Sequence, residues 1–115
     1  MTIGDIATLL SAQVLEAPDL NLVIHSACGS DLMSDVLAFV KDKTVLLTGL
    51  TNPHVIRTAE MLDIFCIVFT RGKMPDEELL EMARERGIAV LTTKHTLYVA
   101  CGILYQHGLV GCERR

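Results

Sequence analysis

The sequence predicts a single small α/β domain in which a mostly parallel sheet is flanked by helices. Apolar residues alternate along the chain between the helical period and the strand period. Residues 64–69 are six consecutive apolar residues, typical of a parallel strand covered on both faces. The predicted strands are separated by crossovers of about fifteen to eighteen residues, which favour parallel neighbours and right-handed connections. A length of 115 residues fits one domain over residues 1–115.

Four elements are predicted in the first forty residues. Thr2 suits the N-cap of a helix over residues 3–12, in which apolar side chains recur at helical spacing. A short extended segment over 13–15 leads into the turn signal Ala17-Pro18-Asp19. A strand is predicted over 21–26, and a second amphipathic helix over 30–40.

The remaining elements repeat a strand and helix pattern. An apolar strand over 44–48 precedes a helix over 53–62, with Asn52 as N-cap and Pro53 in the first turn. The buried strand 64–69 precedes a helix that Pro75 and three acids open and Gly87 closes. A last strand over 88–91 leads into a helix over 95–107, closed by Gly108.

Composition excludes several classes of protein. The formal charge is −4 and the basic residues are scattered, which argues against nucleic acid as a partner. The mean hydropathy is +0.41, but the longest nearly uncharged apolar stretch, 98–105, is too short to cross a membrane. With no basic leader at the N-terminus, we expect a cytoplasmic protein. The four cysteines form no C-x-x-C pair, so we predict no metal site and no cofactor.

The chemistry is expected where the parallel strands end, since free backbone N–H groups and helix N-termini meet at that edge. Hydroxyls, amides and cations in the loops there suit a small anionic ligand. The alternative is that these residues only cap helices and make turns. The candidate ligand-binding residues are Ser26, Gly29, Ser30, Asp31, Gly49, Thr51, Asn52, Thr70, Arg71, Gly72, Lys73, Thr93, Lys94 and Thr96.

Catalysis has weaker support than binding. A thiol enzyme or redox sensor would use Cys28, with His25, His54 or His95 as a base. His25 lies three residues before Cys28 on or near a strand, so their side chains are expected on opposite faces. We therefore predict no catalytic residue, and a buried structural thiol at Cys28.

Three segments resemble the DRTGG domain family. Residues 26–38 are similar to its strand, glycine and aspartate segment that enters a helix. Residues 69–76, which read Phe-Thr-Arg-Gly-Lys-Met-Pro-Asp, are similar to a segment in which the family commonly has Thr-Gly-Gly followed by Pro-Asp. Residues 90–98 resemble its closing strand and helix start. Two positions depart from the pattern, since Leu32 follows Asp31 and Arg71 stands where glycine is usual.

The resemblance implies a regulatory or sensing domain without catalytic machinery, often dimeric, in a family whose ligand is generally unestablished. Our own expectation is a small anionic ligand at the carboxyl ends of the strands, with a nucleotide as one candidate. The predicted last helix fits a homodimer, since 96–106 carries no charge and apolar residues surround most of it. An alternative function is an interaction subunit that docks on a larger partner enzyme and has no ligand of its own.

Overall fold

The computed structural model describes residues 1–40 and 43–112. That part of the chain contains five helices and six strands. The helices are α1 (Ile3–Leu9), α2 (Met33–Phe39), α3 (Pro53–Met61), α4 (Glu77–Glu85) and α5 (Leu97–Gln106). The strands are β1 (Gln13–Glu16), β2 (Ser26–Gly29), β3 (Thr44–Thr48), β4 (Cys66–Phe69), β5 (Ala89–Thr92) and β6 (Val110–Gly111).

The strands form one sheet in the order β1-β5-β4-β3-β2-β6. Strands β2 to β5 are parallel neighbours in sequence order, which confirms the predicted parallel arrangement. Their carboxyl ends therefore lie at one edge of the sheet, which we call the carboxyl edge. The opposite edge, where these strands begin, is the amino edge.

Helices cover both faces of the sheet because alternate strand residues point to opposite sides. On one face, Val45 and Leu47 of β3 belong to a core that includes α1 and α5. On the other face, Leu46 packs in a core that α2, α3 and α4 complete. Every residue of β4 is buried, as the unbroken apolar run predicts.

Side chains that accept hydrogen bonds from the first turn determine where α1, α3 and α4 begin. Thr2 and Asp5 form a reciprocal capping box at α1, and Asn52 accepts from the His54 N–H at 3.0 Å. Both caps confirm the sequence prediction. Helix α4 begins two residues after the predicted Pro75, because the Asp76 carboxylate accepts from the Leu79 N–H at 3.0 Å and makes Asp76 the N-cap.

The strand predicted over residues 21–26 is wrong. Strand β2 begins at Ser26, where that prediction ends. The segment before it bonds to the N-terminal residues instead of the sheet: Ile24 donates to the Met1 carbonyl at 2.7 Å, and the Ile3 N–H donates to Leu22 at 3.0 Å. Cys28 and Gly29, expected in a loop, are strand residues.

Other element boundaries also differ from prediction. Helix α1 ends at Leu9, since the chain turns at Ser11 with a φ of +49°. Helix α2 begins at Met33, because the Ser30 hydroxyl accepts from the Leu32 N–H at 3.0 Å in a tight turn. Strands β4 and β5 begin two residues and one residue later than predicted.

The two edge strands follow from tertiary packing. Strand β1 pairs antiparallel with β5, and the unpredicted β6 pairs with β2 after α5 has crossed the sheet. This crossing places α5 on the face opposite α2, α3 and α4. Among the helices of residues 1–40 and 43–112, none is long and apolar enough to span a membrane.

Candidate ligand site at the carboxyl edge

Four loops meet at the carboxyl edge, as parallel strands require. They follow β2 (residues 30–32), β3 (49–52), β4 (70–76) and β5 (93–96). Ser30, Asp31, Gly49, Thr51, Asn52, Thr70, Arg71, Gly72, Lys73, Thr93, Lys94 and Thr96 all lie in these loops, which brings most of the predicted candidates to one edge.

Ser26 does not belong to this edge, and its predicted placement is wrong. It is the first residue of β2 and pairs with Thr44, the first residue of β3, at the amino edge. Its hydroxyl is buried and lies 2.8 Å from the Thr44 hydroxyl. The error follows from the misplaced strand, which made Ser26 a carboxyl-end residue.

Several candidates have structural roles. Asn52 caps α3, and the Thr96 hydroxyl accepts from the Val99 N–H at 3.4 Å and caps α5. Gly29 permits close packing of α5, since a Cβ there would lie 2.5 Å from the Cys101 sulfur. Helix capping explains the asparagine at position 52 and the threonine at position 96, and close helix packing explains the glycine at position 29.

The loops after β4 and β5 are joined through their backbones. The Arg71 N–H donates to the His95 carbonyl and the Gly72 N–H to the Thr93 carbonyl, both at 2.8 Å. The Thr92 hydroxyl donates to the Lys73 carbonyl at 2.7 Å. Arg71 and Gly72 have φ values of +57° and +66°, a conformation that glycine adopts easily and arginine does not. The two loops therefore form one unit.

Asp31 joins the loop after β2 to the end of β3. Its Oδ1 accepts from the Thr48 hydroxyl at 3.0 Å and from the Gly49 N–H at 2.6 Å. The Arg71 guanidinium approaches the same place, since its Nη2 lies 2.9 Å from where a Cβ on Gly49 would stand. A glycine at position 49 allows both charged side chains to approach the backbone closely.

Thr70 carries a buried hydroxyl without a partner. The residue is 0% exposed, and its Oγ1 has no hydrogen bond to any atom of residues 1–40 and 43–112. The neighbouring buried Thr93 differs, because its hydroxyl donates to the Leu10 carbonyl at 2.8 Å. An unsatisfied buried hydroxyl costs stability, so Thr70 is a position where the edge lacks a hydrogen bond.

A cleft of about 610 Å³ opens beside the joined loops. This volume is in the range of small-molecule sites. Its wall combines apolar side chains with hydroxyls, an amide and two basic side chains. The lining residues are Leu10, Ser11, Gln13, Gly72, Met74, Thr92, Thr93, Lys94 and His95.

Sequence reasoning missed six of these cleft residues. Leu10, Ser11 and Gln13 reach the cleft only because α1 packs against the sheet and β1 then pairs antiparallel with β5. No local pattern signals this arrangement. Thr92, Met74 and His95 adjoin predicted candidates, and a wider window around the loops would have included them.

A second cleft lies elsewhere. It measures about 450 Å³ and is lined by Met1, Asp5, Thr8, Leu9 and His107. Its titratable side chains are already engaged, since Asp5 caps α1 and a ring nitrogen of His107 lies 2.8 Å from the Ile103 carbonyl. Of these two clefts, only the one at the carboxyl edge is lined by a lysine.

Cys28, Cys66 and Cys101 are not poised for thiolate chemistry. Burial raises the pKa of the Cys28 thiol to about 11, and the neighbouring Cys112 and Cys101 add to that effect. Burial also raises the pKa of Cys66 to about 12 and that of Cys101. A thiol with so high a pKa is almost entirely protonated at neutral pH and is a poor nucleophile.

The family model for the DRTGG domain matches residues 5–106, and the chain belongs to that family. The fold is similar to a crystal structure of the CBS and DRTGG domains of the regulatory region of Clostridium perfringens pyrophosphatase, complexed with the activator diadenosine tetraphosphate. The TM-score is 0.77 at 19% identity. The match covers 91% of this chain and 46% of the pyrophosphatase chain, so this chain spans less than half the length of the pyrophosphatase chain. No curated protein matches significantly.

Replacing Thr70 by valine is expected to stabilise the fold by about 1 kcal/mol, because valine removes an unsatisfied buried hydroxyl at equal volume. Urea denaturation measures the change. The matched control is Thr93→Val, which breaks a buried hydrogen bond and is expected to lose about 1 kcal/mol. Equal losses in both variants would contradict the assignment of Thr70.

Cys28 is expected to react with iodoacetamide about 100-fold more slowly at pH 7 than an ordinary thiol, given a pKa of about 11. Because the pKa is raised, the rate should keep rising tenfold per pH unit through pH 9. Peptide mass spectrometry follows the residue, and the urea-unfolded chain is the control. A plateau below pH 9 would show that the thiol is activated.

Proposed function

We propose that this domain is a non-catalytic regulatory module that binds a small anionic ligand at the carboxyl edge. The observation that carries the proposal is the pair of joined loops beside a cleft of ligand size. A ligand seated there contacts both loops at once, so its binding is coupled to the backbone of two neighbouring strands.

The chemistry of the cleft favours an anion with an apolar part. Lys94 supplies a cationic donor, His95 adds an imidazole ring, and Leu10 and Met74 supply apolar surface. Small-molecule sites commonly combine a mainly apolar wall with a few placed polar groups. The Gln13 amide adds one donor and one acceptor that suit a polar ring edge.

Nucleotides are the first ligand class to test. They combine phosphate with a largely apolar ring, which matches the composition of the cleft. The pyrophosphatase regulatory region with the similar fold was crystallised with diadenosine tetraphosphate. That observation concerns the relative and supports only the choice of ligand class. Four unpaired cysteines fit a reducing compartment such as the cytoplasm.

The proposal excludes catalysis by Cys28, because its raised pKa is unfavourable for a nucleophile at neutral pH. Asp31, a carboxylate at the carboxyl edge, is held by two hydrogen bonds to one oxygen. It serves as a loop anchor and an acceptor.

A nucleotide at 100 times its dissociation constant is expected to stabilise the domain by about 2.7 kcal/mol. A thermal-shift screen of nucleotides and phosphorylated metabolites measures this gain. Lys94→Ala is expected to remove the response, since it deletes a cation of the cleft. Lys43→Ala is the matched control at the amino edge and should leave the response intact. A full response in Lys94→Ala, or none in a broad panel, would count against the proposal.

We also propose that the domain self-associates through the outer face of α5. Tyr98 is 88% exposed and Tyr105 is 72% exposed, with the half-exposed Val99 beside them. No charged residue interrupts this face, and Gly102 between the tyrosines leaves open space above the helix. A second copy of the chain covers such a surface symmetrically. A partner enzyme is the alternative occupant.

The double variant Tyr98→Asp, Tyr105→Asp is expected to be a monomer at micromolar concentration, because charge at both positions opposes burial of the face. Light scattering coupled to size exclusion measures the mass. Met61→Asp is the control, since Met61 is 70% exposed on α3, away from this face. A monomeric parent protein would rule out the homodimer and favour a different partner.

A further inference from the structure

The oppositely charged side chains of Arg71 and Asp31 both lie close to Gly49 at the carboxyl edge. Arg71 Nη2 lies 2.9 Å, and both Asp31 carboxylate oxygens lie 3.5 Å, from the position of a Cβ on Gly49. Both side chains belong to exposed residues, whereas Gly49 beneath them is buried. Within residues 1–40 and 43–112, no ion pair at 4.0 Å or less joins Arg71 to Asp31. The two charged groups therefore approach each other without forming a close ion pair.

The Asp31 carboxylate is held in place through one of its two oxygens. Oδ1 accepts from the Thr48 hydroxyl and the Gly49 N–H, which sets the orientation of the group. Oδ2 accepts no hydrogen bond from the described part of the chain. An ionised carboxylate oxygen accepts hydrogen bonds and cannot donate them. Oδ2 is therefore suited to a hydroxyl or another donor on a ligand.

The arginine is held in a conformation that its side chain does not favour. Its φ of +57° lies in the left-handed region, and the bond from its N–H to the His95 carbonyl fixes it there. Glycine would make the same backbone bond without strain. The guanidinium is what arginine adds at this position, and its fork of donors suits the oxygens of a phosphoryl group.

We propose that Arg71 and Asp31 form a two-part subsite that binds a phosphoryl group and a nearby hydroxyl group of the same small molecule. Arg71 donates to the phosphoryl oxygens, and Oδ2 of Asp31 accepts from the hydroxyl. A sugar phosphate and a ribonucleotide both carry this pair of groups. Arg71 and Asp31 do not line the cleft themselves, but Arg71 directly precedes the lining residue Gly72 in the joined loops. The inference rests on the proposed function and adds the hydroxyl group that Asp31 selects.

The subsite selects against simple anions. Inorganic phosphate meets Arg71 but is also repelled by Asp31, so the carboxylate weakens the binding of any anion that lacks a well-placed hydroxyl. Replacing Asp31 by asparagine keeps an oxygen for the Thr48 and Gly49 bonds and removes the charge. The asparagine variant therefore separates the structural role of Asp31 from its role in selection.

The test measures dissociation constants by calorimetry for four probes: AMP, 2′,3′-dideoxy-AMP, ribose 5-phosphate and inorganic phosphate. For the parent domain, AMP is expected to bind about 10-fold more tightly than its dideoxy analogue, the value of one charge-assisted hydrogen bond. Asp31→Asn should bring the two nucleotides within about twofold and tighten the binding of inorganic phosphate. Comparison of AMP with ribose 5-phosphate distinguishes a ribonucleotide from a sugar phosphate.

Arg71→Gly is expected to weaken all phosphorylated probes about 10-fold or more, while its thermal unfolding midpoint stays unchanged or rises because the strained φ is relieved. Equal binding of AMP and dideoxy-AMP by the parent, or an unchanged preference in Asp31→Asn, overturns the inference. Failure of all four probes also overturns it. The broader proposal survives either result if the wider screen finds a ligand whose response Lys94→Ala removes.

Discussion

Two backbone hydrogen bonds, from Arg71 to His95 and from Gly72 to Thr93, are the constraint on which the candidate site depends. They join the loops that follow two neighbouring parallel strands. The positive φ values at Arg71 and Gly72 turn these N–H groups toward their acceptors. Without this connection, the Arg71 guanidinium would have no fixed place beside Gly49, and the cleft would lose the part of its wall that Gly72 forms.

The two edges of the sheet differ in how completely their polar groups are satisfied. At the amino edge, the Ser26 hydroxyl, the Thr44 hydroxyl and the Cys112 sulfur lie within 3.4 Å of one another. At the carboxyl edge, Thr70 has a buried hydroxyl without a partner and Arg71 has a strained backbone. Local departures from optimal folding tend to mark functional sites, whereas a satisfied network is typical of a purely structural region.

The sequence was most informative where a single local signal determines the structure. Elements were predicted correctly from the apolar run of β4, from the Asn52 cap of α3, and from the left-handed glycines Gly87 and Gly108 that follow α4 and α5. It failed where a distant segment competes for the backbone. Residues 21–25 looked like a strand, yet Ile24 bonds to Met1. Prediction of the candidate site has the same limit. The positions of its loops follow from the parallel topology, but the presence of Leu10, Ser11 and Gln13 in the cleft wall depends on how α1 and β1 pack.

The central claim is that ligand binding occurs at the carboxyl edge, and amide chemical-shift mapping by NMR tests it most directly. The domain is titrated with AMP, and the shift changes are assigned along the chain. The account predicts the largest changes at the amides of Gly49, Arg71, Gly72 and Lys94, with little change at Ser26 and Thr44 at the opposite edge. Changes centred on the amino edge or on the outer face of α5 would contradict it.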